Sequence, residues 1–417
     1  MGRTIAQKVI ARAAGRGSVE PGEIVIARVD MAMSPENSRL VMEAFERIGV
    51  RRVWDRERVV ILFDHRVPAP NIKTAAAHQE VRKFARAQGL THFLDAREGV
   101  CHQVMVELGL ARPGELVVGT DSHTTTYGAV GALSTGIGAT EMAGVWATGE
   151  LWMRVPATHM VRVDGAMPER VGAKDLMLRY IADVGPDGAD YACVEFAGEA
   201  VAAMGVPGRM TLCNMSAEAG AKAGVVAPDR RTLAYLRGCA AAHLAPVRAD
   251  ADAAYASHRA YDAADLEPLV AAPHAVENVH PVSRYAGLEV HQAVLGSCTN
   301  GRFEDLRAAA AVMGDRPVAP GVRMLVVPAS RRELLRALRA GLVARFVRAG
   351  AMVLNPGCGP CLGAHEGALA AGERAISTTN RNFRGRMGDP GSEVFLASPE
   401  TVAASAVAGA IADPREV

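Results

Sequence analysis

Three cysteines are set apart by their spacing. Cys298 lies in Gly296-Ser-Cys298-Thr-Asn-Gly301, directly after the apolar run Ala293-Val-Leu295. Cys358 and Cys361 form a C-x-x-C pair in Asn355-Pro-Gly-Cys358-Gly-Pro-Cys361-Leu-Gly363. Such a pair lets two sulfurs face one metal or cluster, while Gly and Pro hold a tight loop that brings backbone amides close to sulfur. A thioredoxin-like redox pair explains the C-x-x-C but leaves Cys298 without a role. A zinc site wants a fourth ligand, and His365 is the nearest in sequence. An iron–sulfur cluster on three cysteines leaves one iron free to bind substrate. Spacing alone weighs zinc and cluster equally.

Upstream, two histidines stand beside aspartates at the ends of apolar runs: Asp64-His65, and Asp121 with His123 in Gly119-Thr-Asp121-Ser-His123-Thr. His102 lies in Gly99-Val-Cys-His102-Gln, and Glu218 in Cys213-Asn214-Met-Ser-Ala-Glu218. A carboxylate on a ring N–H orients an imidazole and raises its pKa, which suits a proton donor. Near the end of the chain comes Thr378-Thr-Asn380-Arg381-Asn382-Phe-Arg-Gly385-Arg386. Paired guanidinium groups grip carboxylates bidentately, so Arg381 and Arg386 read as an anion clamp. A metal centre, Asp/His pairs and a clamp together suit addition or elimination of water on a polycarboxylic acid.

The elements that must position these groups are continuously apolar strands, such as Val59-Val60-Ile61-Leu62-Phe63 and Leu116-Val117-Val118-Gly119, alternating with Ala-rich helical stretches. That pattern predicts an α/β chain with buried, partly parallel sheets. Helices are expected over 306–313, 331–348 and 400–411, and a surface helix or connection over 248–265. Boundaries are expected near Val155-Pro156 and in the aperiodic stretch 268–281. The length, 417 residues, calls for more than one core.

Composition narrows the function class. A net charge of +1 and only 5% aromatics give no basic stripe or stacking platform for nucleic acid. No run is long and apolar enough to span a bilayer. Residues 1–9 lack an apolar signal core, so a cytoplasmic protein is expected. Seven cysteines, an odd count without a signal, argue against a disulfide framework. Cys193, Cys213 and Cys239 read as buried small hydrophobes.

The motifs at 119–124, 296–301, 357–361 and 380–386, in this order, resemble the aconitase superfamily over nearly the whole chain. Within it they are most similar to the large subunits of the 3-isopropylmalate dehydratase and homoaconitase families. The resemblance implies three α/β domains with mixed and parallel sheets around an iron–sulfur cluster, over 1–156, 157–280 and 281–417. Cys298, Cys358 and Cys361 would ligate three irons of a 4Fe–4S cluster, and the fourth iron would act as a Lewis acid. Asp64 and His65 would protonate the departing hydroxyl, with His102–Asp121 and His123–Glu218 as further orienting pairs. Ser122, Asn214, Asn300, Arg381 and Arg386 would contact substrate or lie near it. The swivelling domain of one-chain members, with its serine base, would reside on a separate small subunit, an obligate partner.

The expected reaction is dehydration and rehydration of a malate-type acid, 2-isopropylmalate to 3-isopropylmalate in leucine biosynthesis. Homoaconitate and dimethylmalate or another alkylmalate are the alternatives. A cluster-sensing RNA-binding regulator and a zinc-stabilised scaffold are more distant ones. One departure bears on substrate. Where the family usually shows a His or Gln followed by Asp, this chain has Pro35 and Glu36, and Pro has no donor. Either Ser34 or Asn37 takes that role, or the substrate differs.

Overall fold

The computed structural model describes residues 2–239, 244–363 and 365–417. The apolar runs are strands and the Ala-rich stretches between them are helices, gathered into three main sheets. The first sheet orders His92–Leu94, Val59–Leu62, Met31–Ser34, Leu116–Gly119 and Leu133–Gly136, all parallel. Along Val59–Leu62, alternate side chains enter opposite cores. Val59 and Ile61 pack in the cluster of Phe45 and Trp146, and Val60 and Leu62 in that of Met105 and Tyr127. Burial on both faces accounts for the unbroken apolar run.

The second sheet is also parallel and orders Ala223–Val226, Cys193–Ala197, Thr158–Asp164 and Ser257–Asp262. Its edge strand Ser257–Asp262 replaces the helix or connection expected over 248–265. It is exposed at every residue but one, so no apolar alternation betrays it. The N-terminal helix Ile5–Ala13 packs in one cluster with Cys193, Ala223 and Val225 of this sheet.

The third sheet orders Val279–Pro281, Leu269–Ala271, Glu393–Ala397, Arg374–Ser377, Gln292–Gly296, Arg323–Val327 and Met352–Val353. Its first two strands are antiparallel additions to a parallel body. They lie within 268–281, where segments of three residues are too short to display a period. The helix expected over 331–348 is two, Arg331–Arg339 and Leu342–Arg348. They are separated at Gly341, whose φ of 75° a helix cannot contain. The last helix is Pro399–Ala408. No helix among the described residues is long and apolar enough to cross a membrane.

Two features of connectivity matter for the site. In the first sheet the chain moves outward from Met31–Ser34 through two strands, then returns to Leu116–Gly119 on the other side. In the third it moves outward from Gln292–Gly296 and returns to Arg374–Ser377. Such reversals open a crevice at the carboxyl ends of the flanking strands, where ligands bind in α/β sheets.

Candidate active site

Both reversals deliver residues to one cavity of about 190 Å³, lined by Asp64, His65, His102, Asp121 and His123 on one side and Cys298, Cys358, Cys361, Asn380, Arg381 and Arg386 on the other. Cys298 reaches it through a turn that requires glycine at 296. Gly296 has φ 137° and Ser297 φ 65°, and a Cβ on Gly296 would meet the Val327 carbonyl oxygen at 2.0 Å. Cys358 and Cys361 bracket the start of the short 3₁₀ turn Gly359–Leu362. The Cys358 N–H donates to the Asp64 carbonyl at 2.8 Å. The Cys298, Cys358 and Cys361 thiols are all buried and form no disulfide.

Hydrogen-bond donors surround the sulfurs. Asn380 Nδ2 donates to Cys298 Sγ at 3.3 Å and Asn214 Nδ2 to the same sulfur at 3.5 Å. Arg386 Nη2 donates to Cys361 Sγ at 3.5 Å, while its buried Nε has no partner. A hydrogen bond from the Cys358 thiol, with the Arg386 guanidinium beyond it, holds Cys361 well below the usual thiol range despite burial. His365, the sequence candidate for a fourth zinc ligand, instead places Nε2 3.0 Å from Glu366 Oε1 and does not line the cavity.

Asp121 is the hub of the opposite wall. Its Oδ1 lies 2.9 Å from His102 Nε2 and accepts the His123 N–H at 2.8 Å, and its Oδ2 lies 3.2 Å from His65 Nε2. Burial opposes its ionisation, but three imidazoles outweigh burial and hold the carboxyl well below the usual range. His65 Nδ1 lies 2.6 Å from Asp64 Oδ1. Burial works against a charged His65 ring, yet Asp64 and Asp121 raise its pKa well above the ordinary value. His123 Nε2 lies 2.6 Å from Glu218 Oε1. It too is buried, and Asp121 and Glu218 bring it up to about 10.

Glu218 also accepts from Arg381 Nε at 2.9 Å, and Arg381 Nη2 donates to Ser122 Oγ at 3.0 Å. Asn300 lies apart from the sulfurs: its Nδ2 donates to Asp305 Oδ1 at 2.9 Å and Thr211 Oγ1 at 3.3 Å. Pro35 is buried, and Asn37 is engaged with Thr120 through bonds of 2.8 and 2.6 Å. Pro35, Glu36 and Asn37 border a second hollow of about 420 Å³ that shares His65, Asp121 and Leu362 with the first. Glu36 accepts the N–H groups of His65 and Arg66 at 3.1 and 2.8 Å, so it fixes the turn that presents His65.

Three residues of this site escaped the sequence reading of candidates. Asn380 was visible only as part of the arginine motif. Glu36 was noted as a departure from pattern, with no signal for its hydrogen bonds. Lys174 follows the N-terminal residue of the helix Ala173–Val184 and gives no motif; it is buried, which lowers its ammonium to about 8.

A model of the aconitase family (aconitate hydratase) matches residues 51–409. The chain belongs to the aconitase family. Its curated relatives include the 3-isopropylmalate dehydratase large subunit 1 of Methanopyrus kandleri, 50% identical across 100% of this chain and 99% of that one. A probable methanogen homoaconitase large subunit of Methanothermobacter thermautotrophicus is 51% identical, over 98% of this chain and 97% of that one. Among solved structures, holo aconitase X of Thermococcus kodakaraensis matches with a TM-score of 0.51 at 11% identity. It covers 86% of this chain and 84% of that one, a likeness of fold alone. This aconitase-family chain is therefore a hydro-lyase with an α/β fold of parallel and mixed sheets.

Proposed function

We propose that this chain is the large subunit of a 4Fe–4S-dependent dehydratase-isomerase that interconverts 2-isopropylmalate and 3-isopropylmalate. The observation that carries the reading is one cavity with three buried, donor-ringed cysteines and an Asp121-centred set of imidazoles, with two arginines in the same lining. Homoaconitate is the second candidate, because relatives of both names match at the same level. The replacement of a donor by Pro35 bears on that choice, since it changes the wall of the adjoining hollow.

Cys298, Cys358 and Cys361 would hold the cluster. Their sulfurs are surrounded by donors suited to thiolates. When bound, the cluster supplies a Lewis-acidic iron with no protein ligand. The side chains do the rest. Asp64 keeps the His65 ring charged and oriented, so that the proton on Nε2 can pass to a departing hydroxyl. Asp121 aligns His65, His102 and His123 on one carboxylate, and Glu218 fixes the far side of the His123 ring. Arg381, held by Glu218, presents Ser122, and Arg386 offers a planar fork to a substrate carboxylate. Asn214 acts through Cys298, while Asn300 acts through the side chains of Thr211 and Asp305.

A small-subunit partner completes the site in this reading, since the relatives spanned from end to end carry large-subunit names. That partner would bring the serine base and further arginines. Anaerobic reconstitution with iron, sulfide and the candidate small subunit tests the proposal. Alkene absorbance is followed on isopropylmalate, homoaconitate and dimethylmalate. Turnover of isopropylmalate that requires both cluster and partner is expected. Turnover of a different acid reassigns the substrate, and absence of a cluster refutes the reading.

A further inference from the structure

Lys174 is 1% exposed, a burial rare for a lysine. Its Nζ donates to the carbonyl oxygens of Thr378 and Thr379, at 3.1 and 2.5 Å. It has no ion-pair partner among the described residues. The adjacent Asp175 is turned to other work, accepting the N–H groups of Gly172 and Leu269 at 2.9 and 3.0 Å. An ammonium taken out of water is strongly disfavoured unless negative charge lies close by. Against the burial that lowers it, Cys298, Glu218 and Cys361 act to raise the ammonium, two of them sulfurs of the cysteine triad.

The two carbonyls that Lys174 grips stand immediately before Asn380 and Arg381. Asn380 Nδ2 donates to Cys298 Sγ and, at 3.0 Å, to Asn214 Oδ1. Arg381 is held by Glu218. The ammonium therefore touches the turn that carries both a donor to Cys298 and an arginine of the carboxylate clamp.

We propose that Lys174 is the counter-charge of the cluster and a positioning residue for the Asn380–Arg381 turn. This rests on the cluster reading above. The positive charge offsets the negative charge that three thiolates and inorganic sulfide would bring into a buried site. The two hydrogen bonds keep Asn380 on Cys298 and Arg381 beside Ser122. A positive charge near an iron–sulfur cluster raises its reduction potential, because the reduced form carries one more negative charge.

The test uses the full-length chain reconstituted anaerobically as parent, Lys174→Met, Lys174→Gln and Lys174→Arg. Iron and sulfide content and the cluster midpoint potential, followed by electron paramagnetic resonance, are measured on each. KM and kcat follow with the small subunit added. The uncharged variants are expected to bind the cluster but shift its potential negative and raise KM. Lys174→Arg should hold the parent potential. If Lys174→Met fails to fold, Lys174→Gln, which keeps a donor without the charge, makes the same comparison. A potential unchanged in the uncharged variants overturns this inference alone. A parent chain that takes up no iron and sulfide overturns the cluster reading and this inference with it.

Discussion

The backbone N–H of Cys358 donates to the backbone carbonyl of Asp64 at 2.8 Å. One hydrogen bond thus joins the loop bearing two cysteines to the turn bearing the Asp64–His65 pair. The approach is close because Gly357 has no side chain: a Cβ there would stand 2.9 Å from the same Asp64 oxygen. Gly357→Ala should therefore disturb both halves of the site together, at a cost of about 1–3 kcal/mol in stability, as for other overpacked contacts. Thermal melting and iron content after reconstitution check this. A variant that melts lower but keeps full iron and activity would show the two halves to be independent.

Asp121→Asn replaces the carboxylate that three imidazoles share with a neutral amide. His65, His102 and His123 lose the negative charge they share and one of its two acceptor oxygens, and the charged state of His65 loses support. Turnover should fall roughly 10²–10⁴-fold, the range for a disabled acid–base group, with KM little changed. Steady-state kinetics of the reconstituted complex separates the two parameters.

Cys358→Ser should take up no cluster, show no cluster absorbance and have no activity, while its far-ultraviolet circular dichroism stays that of the parent. Cluster absorbance retained in this variant would remove Cys358 from the ligand set.

Arg386 reaches Cys361 Sγ and stacks its guanidinium 5.4 Å from the Phe383 ring centre. Lysine keeps the charge but loses the planar fork. Arg386→Lys should raise KM roughly tenfold to a hundredfold, the loss of one charge-assisted hydrogen bond. An unchanged KM would argue that Arg386 serves only the sulfur.

Away from the site, Asp229 caps the helix Arg230–Arg237 and pairs at 2.5 Å with Arg209, whose side chain is wholly buried. Partial burial resists the Asp229 charge, but Arg209 and the Thr232 amide prevail and lower its pKa to about 2. A depressed carboxyl stabilises the fold above its unfolded pKa, near 3.9, and that contribution fades as pH falls toward 2. Asp229→Asn leaves a buried cation unpaired, at a cost of about 3–5 kcal/mol near neutral pH. The gap in Tm between parent and variant should be constant from pH 7 to about 5 and narrow below about 4.

How much could be read beforehand depended on what kind of signal each residue leaves. Cys298, Cys358 and Cys361 and the Asp/His stretches were legible because residue type and spacing carry them whatever the fold does. The parallel strands were legible where burial on both faces produces unbroken apolar runs, as in Val59–Leu62. Ser257–Asp262 was not, because an exposed edge strand has no apolar alternation. Lys174 and Glu36 each act through two hydrogen bonds to distant backbone, and no local pattern records such a contact. Asn300 sits in the right motif, but its side chain points to Thr211 and Asp305. That direction depends on the packing of a neighbouring helix, which the motif does not contain.

The two reversals that meet at the cavity draw on widely separated stretches of the chain, from Glu36 beside His65 to Arg386 beside Cys361. During synthesis, the proton-donor wall leaves the ribosome long before the loop that carries Cys358 and Cys361. The nascent chain thus has no complete cavity until nearly all of it has emerged. On the cluster reading, iron and sulfide would be delivered to an almost finished protein, and a chain cut short before Arg386 would lack part of the cavity lining.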